Sequence, residues 1–179
     1  MEVPVVNKLA AIGRSPWYWL ALLLLGLAME GMALFYQHVL GYGPCVLCIQ
    51  VRLWLLGLVM VALAALVMRR SRLGLVAAHL LSALVLAGML ERAWKLLGIE
   101  RGTVEGECSF DLGLPAWLPL DHWFPPLFQV QEACGYTPTL PFGFSMAEVL
   151  PVFSGLLLLL SVALLVASLA SGRSSVRGS

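Results

Sequence analysis

The 179 residues are expected to form an all-α membrane protein, a four-helix transmembrane bundle carrying one long, partly irregular outer loop. The residues AVILMFWYC make up 60% of the chain and charged residues only 12%, against a usual charged share of ~25%. A soluble domain of this size lacks the interior to hide so much apolar surface. The apolar residues also gather into four stretches, each long enough for the ~17–25-residue helix that crosses a hydrocarbon core. Finally, the positive charges sort to one side of those stretches. The same composition excludes a disordered chain, whose mark is low hydrophobicity. A net charge of +1 with no basic stripe gives no case for a nucleic-acid partner.

The four expected spans are residues 17–35, 49–68, 73–92 and 150–170. Lys8 and Arg14 precede the first, as in a signal peptide. Its apolar run is longer than the ~7–15 residues of a signal core and no convincing A-x-A cleavage site follows, so it reads as a retained anchor. Lys8, Arg14, Arg69, Arg70, Arg72, Arg173 and Arg177 fall in the N-terminus, the second connection and the C-terminus. With four spans these share one side, and by the positive-inside rule that side is cytoplasmic. Residues 1–170 are therefore expected to be a single transmembrane domain with its outer loop at about 96–146, and 171–179 a disordered cytoplasmic tail.

The outer loop is acidic, with Arg101 set against Glu100, Glu105, Glu107, Asp111, Asp121 and Glu132. Pro115, Pro119, Pro125 and Pro126 prevent it from forming one regular helix. Trp117, Trp123, Phe124 and Phe128 make it too apolar to float in water, and they are expected to anchor part of it at the membrane–water interface, the alternative being a partner-binding platform.

All four cysteines, Cys45, Cys48, Cys108 and Cys134, fall on the outer side. Cys45 and Cys48 form a C-x-x-C at the start of the second helix, where Pro44 suits a helix start. The partial positive charge of a helix N-terminus stabilises a thiolate. Two cysteines so placed can form a reducible disulfide. A metal site is disfavoured, because there is no second C-x-x-C, and a c-type haem needs His where Ile49 stands. Arg52 follows Cys48 by four residues, on the same helical face. An arginine at membrane depth is costly and marks a candidate site. It is suited to stabilise a Cys48 thiolate and to donate to a carbonyl oxygen of a bound oxidant; the plainer reading is a side chain that snorkels to the interface. Glu30 either pairs with Arg52 or faces a polar pocket.

A Cys108–Cys134 bridge would be worth about 3.5 kcal/mol as a staple. Two pairs, one at a helix end and one on a loop, also fit a relay in which thiolates attack disulfides in turn. Electrons leaving a dithiol beside lipid need a lipid-soluble acceptor, and a quinone takes two electrons and two protons.

These residues resemble the DsbB family of bacterial inner-membrane oxidoreductases. Gln37-His38-Val39, Pro44-Cys45-Val46-Leu47-Cys48-Ile49 and Arg52 look like its first outer loop and quinone-side helix. Cys108 with Pro115-Ala116-Trp117-Leu118-Pro119-Leu120-Asp121 and Trp123 resembles its second loop, and Cys134 with Phe142-Gly143-Phe144-Ser145-Met146 its return to the fourth helix. The family keeps the periplasm oxidising through DsbA and quinone, so that role comes with the resemblance. The resemblance implies that a DsbA-like partner attacks Cys108, that Cys134 resolves the adduct, that Cys45 exchanges with the loop pair and that Cys48 faces the quinone. Arg52 would lie beside the quinone ring, ubiquinone or menaquinone. It further implies a bacterial inner membrane, with the cysteines periplasmic. The sequence differs from the pattern at Gln50, where an aromatic is common, at Arg92, where histidine is common, in a longer stretch between Arg92 and Cys108, and in lacking the Trp common between Cys134 and the fourth helix.

Two rival readings stand beside this one. An enzyme like vitamin K epoxide reductase has its loop cysteines before the C-x-x-C, the reverse of the order here. A membrane scaffold with purely structural disulfides would not reduce quinone.

Overall fold

The computed structural model describes residues 3–105, 111–115, 117–140 and 143–176. Cys108, Glu107, Ala116, Phe142 and Arg177, all used in the sequence reading, lie outside the described residues. The chain runs α1 (Val3–Arg14), α2 (Pro16–His38), α3 (Val46–Met68), α4 (Arg72–Glu100), two single-turn helices α5 (Leu120–Trp123) and α6 (Pro125–Phe128), then α7 (Met146–Val176). Of these, α2, α3, α4 and α7 are long and apolar enough to cross a membrane. Residues with bare backbone polar groups cannot face lipid, and a helix satisfies them all within one segment. The expected all-α, four-span architecture is the one observed.

Local chemistry sets the helix starts. Ser15 caps α2, its Oγ accepting from the Trp17 N–H at 3.3 Å, with Pro16 in the first turn. Ser71 caps α4 by accepting from the Gly74 N–H at 3.0 Å. Gly74 is required there, because a Cβ would collide with the Met68 carbonyl oxygen. Cys45 itself caps α3, with extended backbone.

α4 packs chiefly on α7 and α3, α2 lies on α3, and α1 docks on α7. Trp19, Ile49, Leu58, Leu86, Met89 and Leu164 are fully buried between them. Leu24, Leu63, Leu84 and Leu159 remain exposed, as lipid-facing side chains should.

Three features differ from the sequence reading. α4 continues eight residues past 92, because Ala93, Leu96 and Leu97 keep a buried stripe at helical spacing. α7 runs through 171–176, where no fixed structure was expected. Phe128 is buried in the core rather than lying at the interface, whereas Trp117, Trp123 and Phe124 are exposed. The short helices thus tuck one apolar edge, Phe128, into the bundle and leave the other outside.

Candidate functional site

Pro44 and the capping geometry of Cys45 bring the C-x-x-C sulfurs together. The Cys45 Sγ accepts from the Cys48 N–H at 3.3 Å, and the two Sγ atoms are 2.7 Å apart. Cys45 is buried and Cys48 half-buried. The second loop docks on the first directly above this pair. The Gln131 N–H donates to the Pro44 carbonyl at 3.0 Å. Gly43 permits the approach: a Cβ there would lie 2.8 Å from Glu132 and 2.9 Å from Gln131. This docking delivers the Cys134 thiol to the Cys45 thiol and to the Val46 and Leu47 amides at the start of α3.

The electrostatics of the two thiols follow from that crowding. The contact with Cys134 lowers the Cys45 pKa, but the hydrogen bond with Cys48 and burial outweigh it, and Cys45 is pushed up to about 12. The Cys134 thiol is driven above the ordinary thiol range by its hydrogen bond with Cys45 and by burial. Both are thereby biased toward the neutral thiol.

One helical turn below Cys48, Arg52 is buried at 7% exposure. It does not snorkel. Its Nε donates to Glu30 Oε2 at 3.3 Å, and its Nη1 donates to Gln37 Oε1 at 2.8 Å and to the Leu127 carbonyl at 3.1 Å. The Gln37 Nε2 in turn donates to the Pro126 carbonyl at 2.9 Å. Glu30 and Gln37 stand two turns apart on one face of α2, so both reach the same guanidinium. The pairing open in the sequence is thereby settled: Glu30 meets Arg52. The part sequence reasoning missed is Gln37 and the two loop carbonyls. The seven-residue spacing of two polar side chains in an apolar helix was the available signal for Gln37; nothing local marks the carbonyls.

Beside this network lies a cavity of about 180 Å³, walled by Met29, Gln37, Cys48, Val51, Arg52 and Leu150 among others. Its lining is overwhelmingly apolar. Thus Cys48 and Arg52 share one cavity, and Cys45 and Cys134 adjoin it from above. Arg92 is not part of its wall; it hydrogen-bonds Gln50 instead.

The family model described as "Disulfide bond formation protein DsbB" matches residues 15–164. The chain belongs to the DsbB family. It is 37% identical over 160 residues to Disulfide bond formation protein B 2 of Pseudomonas aeruginosa, covering 87% of this chain and 91% of that one. It is similarly related to Disulfide bond formation protein B of Psychromonas ingrahamii (34% over 164 residues, 88% and 86% covered) and of Shewanella loihica (33% over 144 residues, 80% and 84% covered). As a DsbB-family chain it is a multi-pass membrane oxidoreductase of disulfide chemistry, and the cysteines brought together at one end of its bundle are of the type that chemistry needs.

Proposed function

We propose that the chain oxidises a soluble, DsbA-like dithiol protein and passes the electrons to quinone, generating disulfides de novo. It works as one transmembrane domain with both termini cytoplasmic and the cysteines periplasmic, the side the charge distribution favours. In the oxidised chain Cys45 pairs with Cys48, and Cys108 with Cys134. A partner thiolate attacks Cys108; the Cys108–Cys134 bond breaks and Cys134 leaves as the thiolate. The partner's second thiol, rather than the Cys134 that the resemblance implies, then displaces Cys108, because attack by Cys134 would only return the partner reduced. The partner acquires a disulfide and has given up two electrons and two protons. The Cys134 thiolate attacks Cys45, the Cys45–Cys48 bond breaks, and Cys48 leaves as the thiolate on the cavity wall. The freed Cys108 thiolate then attacks Cys134, which restores the Cys108–Cys134 bond and releases Cys45, so that the two electrons reside on the reduced Cys45–Cys48 pair. Thiol–disulfide exchange of this kind requires only thiolate attack and a leaving thiolate.

The observation that carries this reading is the continuity of the sulfur path: Cys134 meets Cys45, Cys45 lies 2.7 Å from Cys48, and Cys48 lines an apolar cavity. That cavity fits a quinone headgroup. At about 180 Å³ it is smaller than an enclosed ligand pocket of roughly 300–1,000 Å³, so an apolar tail would remain in lipid. Arg52 commits Nε and Nη1 to protein acceptors, while Nη2 has no partner among the described residues and is available to a carbonyl oxygen. When bound, the quinone supplies a two-electron, two-proton acceptor. Arg52 places a fixed positive charge one turn from Cys48, which favours the departing thiolate. Glu30 balances that charge at membrane depth.

The test is to add quinone to purified, dithiol-reduced protein and map the redox state of all four cysteines. Quinone consumption with oxidation of Cys45 and Cys48 is expected, and it should vanish in Cys48→Ala. A chain that leaves quinone unreduced, with Cys48→Ala altering only stability, would be the scaffold.

A further inference from the structure

Gln50 and Arg92, two of the positions where the sequence reading expects a departure from the family pattern, are joined to each other and to the outer loop. The Arg92 Nη1 donates to Gln50 Oε1 at 3.2 Å, and the Gln50 Nε2 donates to the Leu112 carbonyl at 2.9 Å. Arg92 is steadied by Glu91, 2.9 Å from its Nε, and Glu91 is held by Lys95 at 2.8 Å. Leu112 is 4% exposed, its side chain within the core cluster. Both residues lie off the cavity wall. A glutamine two residues after Cys48 thus ties α3 and α4 to a loop position four residues after Cys108 in the sequence.

We propose that Gln50 and Arg92 are positioning residues for the thiol partner's side of the reaction: they tether the chain at Leu112, four residues after Cys108 in the sequence, and so reduce what must be ordered when the partner binds. The inference rests on the relay proposed above. Gln50 uses both ends of its amide, and Arg92 orients it. With Oε1 taken by the guanidinium, the amide cannot flip without losing both hydrogen bonds. The Leu112 carbonyl, on a buried residue, needs that donor, since a buried backbone acceptor left unpaired is costly. Fixing the chain at Leu112 before encounter removes part of the ordering cost that a flexible loop would meet on binding. Quinone affinity should be untouched, because neither residue contacts the cavity.

The experiment uses the full chain in lipid nanodiscs, with a reduced thioredoxin-fold dithiol protein and a short-chain benzoquinone, and measures KM for each substrate separately. Gln50→Leu removes both hydrogen bonds. Gln50→Glu keeps the acceptor for Arg92 and removes only the donor to Leu112. Both are expected to raise the thiol-partner KM about threefold to tenfold, the scale of one net hydrogen bond, with kcat and quinone KM unchanged. Arg92→Lys, which keeps a donor to Gln50, should stay near wild type. A wild-type-like Gln50→Glu would overturn the anchor, because it would show that only the α3–α4 contact matters. A rise in quinone KM instead would overturn it as well. Failure of the unaltered protein to reduce quinone would sink the relay itself, a result distinct from unchanged KM values in an active series.

Discussion

At the cysteine end of the bundle, the buried polar side chains around Arg52 bond from one element to another; toward the opposite, inner end the pattern is mixed, with two hydroxyls bonding back onto their own helix and Ser161 donating across to the His79 carbonyl at 3.3 Å. Arg52 joins α3 to α2 through Glu30 and Gln37, and to α6 through a loop carbonyl. By contrast, Ser82 returns its hydroxyl to the Ala78 carbonyl and Ser168 to the Leu164 carbonyl, each at 2.8 Å and each four residues back. Around His79 the inner end is closed by ring packing, with centroids 4.9 Å from Trp19 and 5.8 Å from Tyr18, and by the Trp19 Nε1 bond to the Gly13 carbonyl at 3.0 Å. A hydroxyl satisfied within its helix travels with that helix and has little left to offer a ligand. A guanidinium shared among three elements has a spare N–H and loses partners if any element moves. Apolar helices of the same kind therefore support one end closed by ring packing and another tied together between elements.

Four measurements would break or sharpen that contrast. The largest effect concerns Cys45 in the fully reduced chain. Its raised pKa keeps it a neutral thiol at physiological pH, and the thiolate is the nucleophile. Alkylation of Cys45, followed by mass spectrometry, should be slow at neutral pH and accelerate about tenfold per pH unit until it levels near a pH of about 12. A flat profile would show that the neighbouring sulfurs do not control it.

Arg52→Ala comes next. It strands the Glu30 carboxyl, and removing one member of a buried ion pair costs roughly 3–5 kcal/mol. Unfolding in mixed micelles should register that loss, and the quinone KM should rise more than the thiol KM. Adding Glu30→Gln should restore part of the stability and none of the quinone affinity. Recovery of both would make the arginine merely structural.

Gly13→Ala tests the inner end. A Cβ there would lie 2.7 Å from His79 Nε2, and overpacking of this kind costs typically ~1–3 kcal/mol. Thermal stability should fall while both KM values hold; a change in either KM would mean the two ends communicate. Ser82→Ala is the smallest. It removes a self-satisfied hydroxyl and its acceptor need together, so the change should stay below about 1 kcal/mol by the same unfolding assay.

The four spans were legible because lipid makes each helix answer for its own backbone, which turns a structural question into a local one. The helix start at Pro44–Cys45 was legible for the same local reason, whereas the cap at Ser15 appeared only in the structure. The far end of α4 was less so: hydropathy falls after 92, yet Ala93, Leu96 and Leu97 continue the buried stripe. Phe128 was misplaced because an aromatic on a proline-rich loop looks interfacial until the carbonyls beside it are found bonded to Gln37 and Arg52. In the candidate site, the C-x-x-C and Arg52 announced themselves through spacing and through the cost of charge in a membrane, and Glu30 through the same cost.

By itself, then, the sequence determined the solvent, the number of crossings, the family to which the cysteine pattern belongs and the helical turn separating Cys48 from Arg52. These follow from hydropathy and from the 3.6-residue period, which act within one segment. Only the tertiary structure decided that Cys134 sits against Cys45, that Arg52 is held by Glu30 and Gln37 rather than by water, and that Gln50 and Arg92 hold the loop at Leu112. Each of these joins residues far apart in the chain, through contacts that exist only once the helices have packed. Nothing in a local window encodes which carbonyl of a distant loop will need a donor.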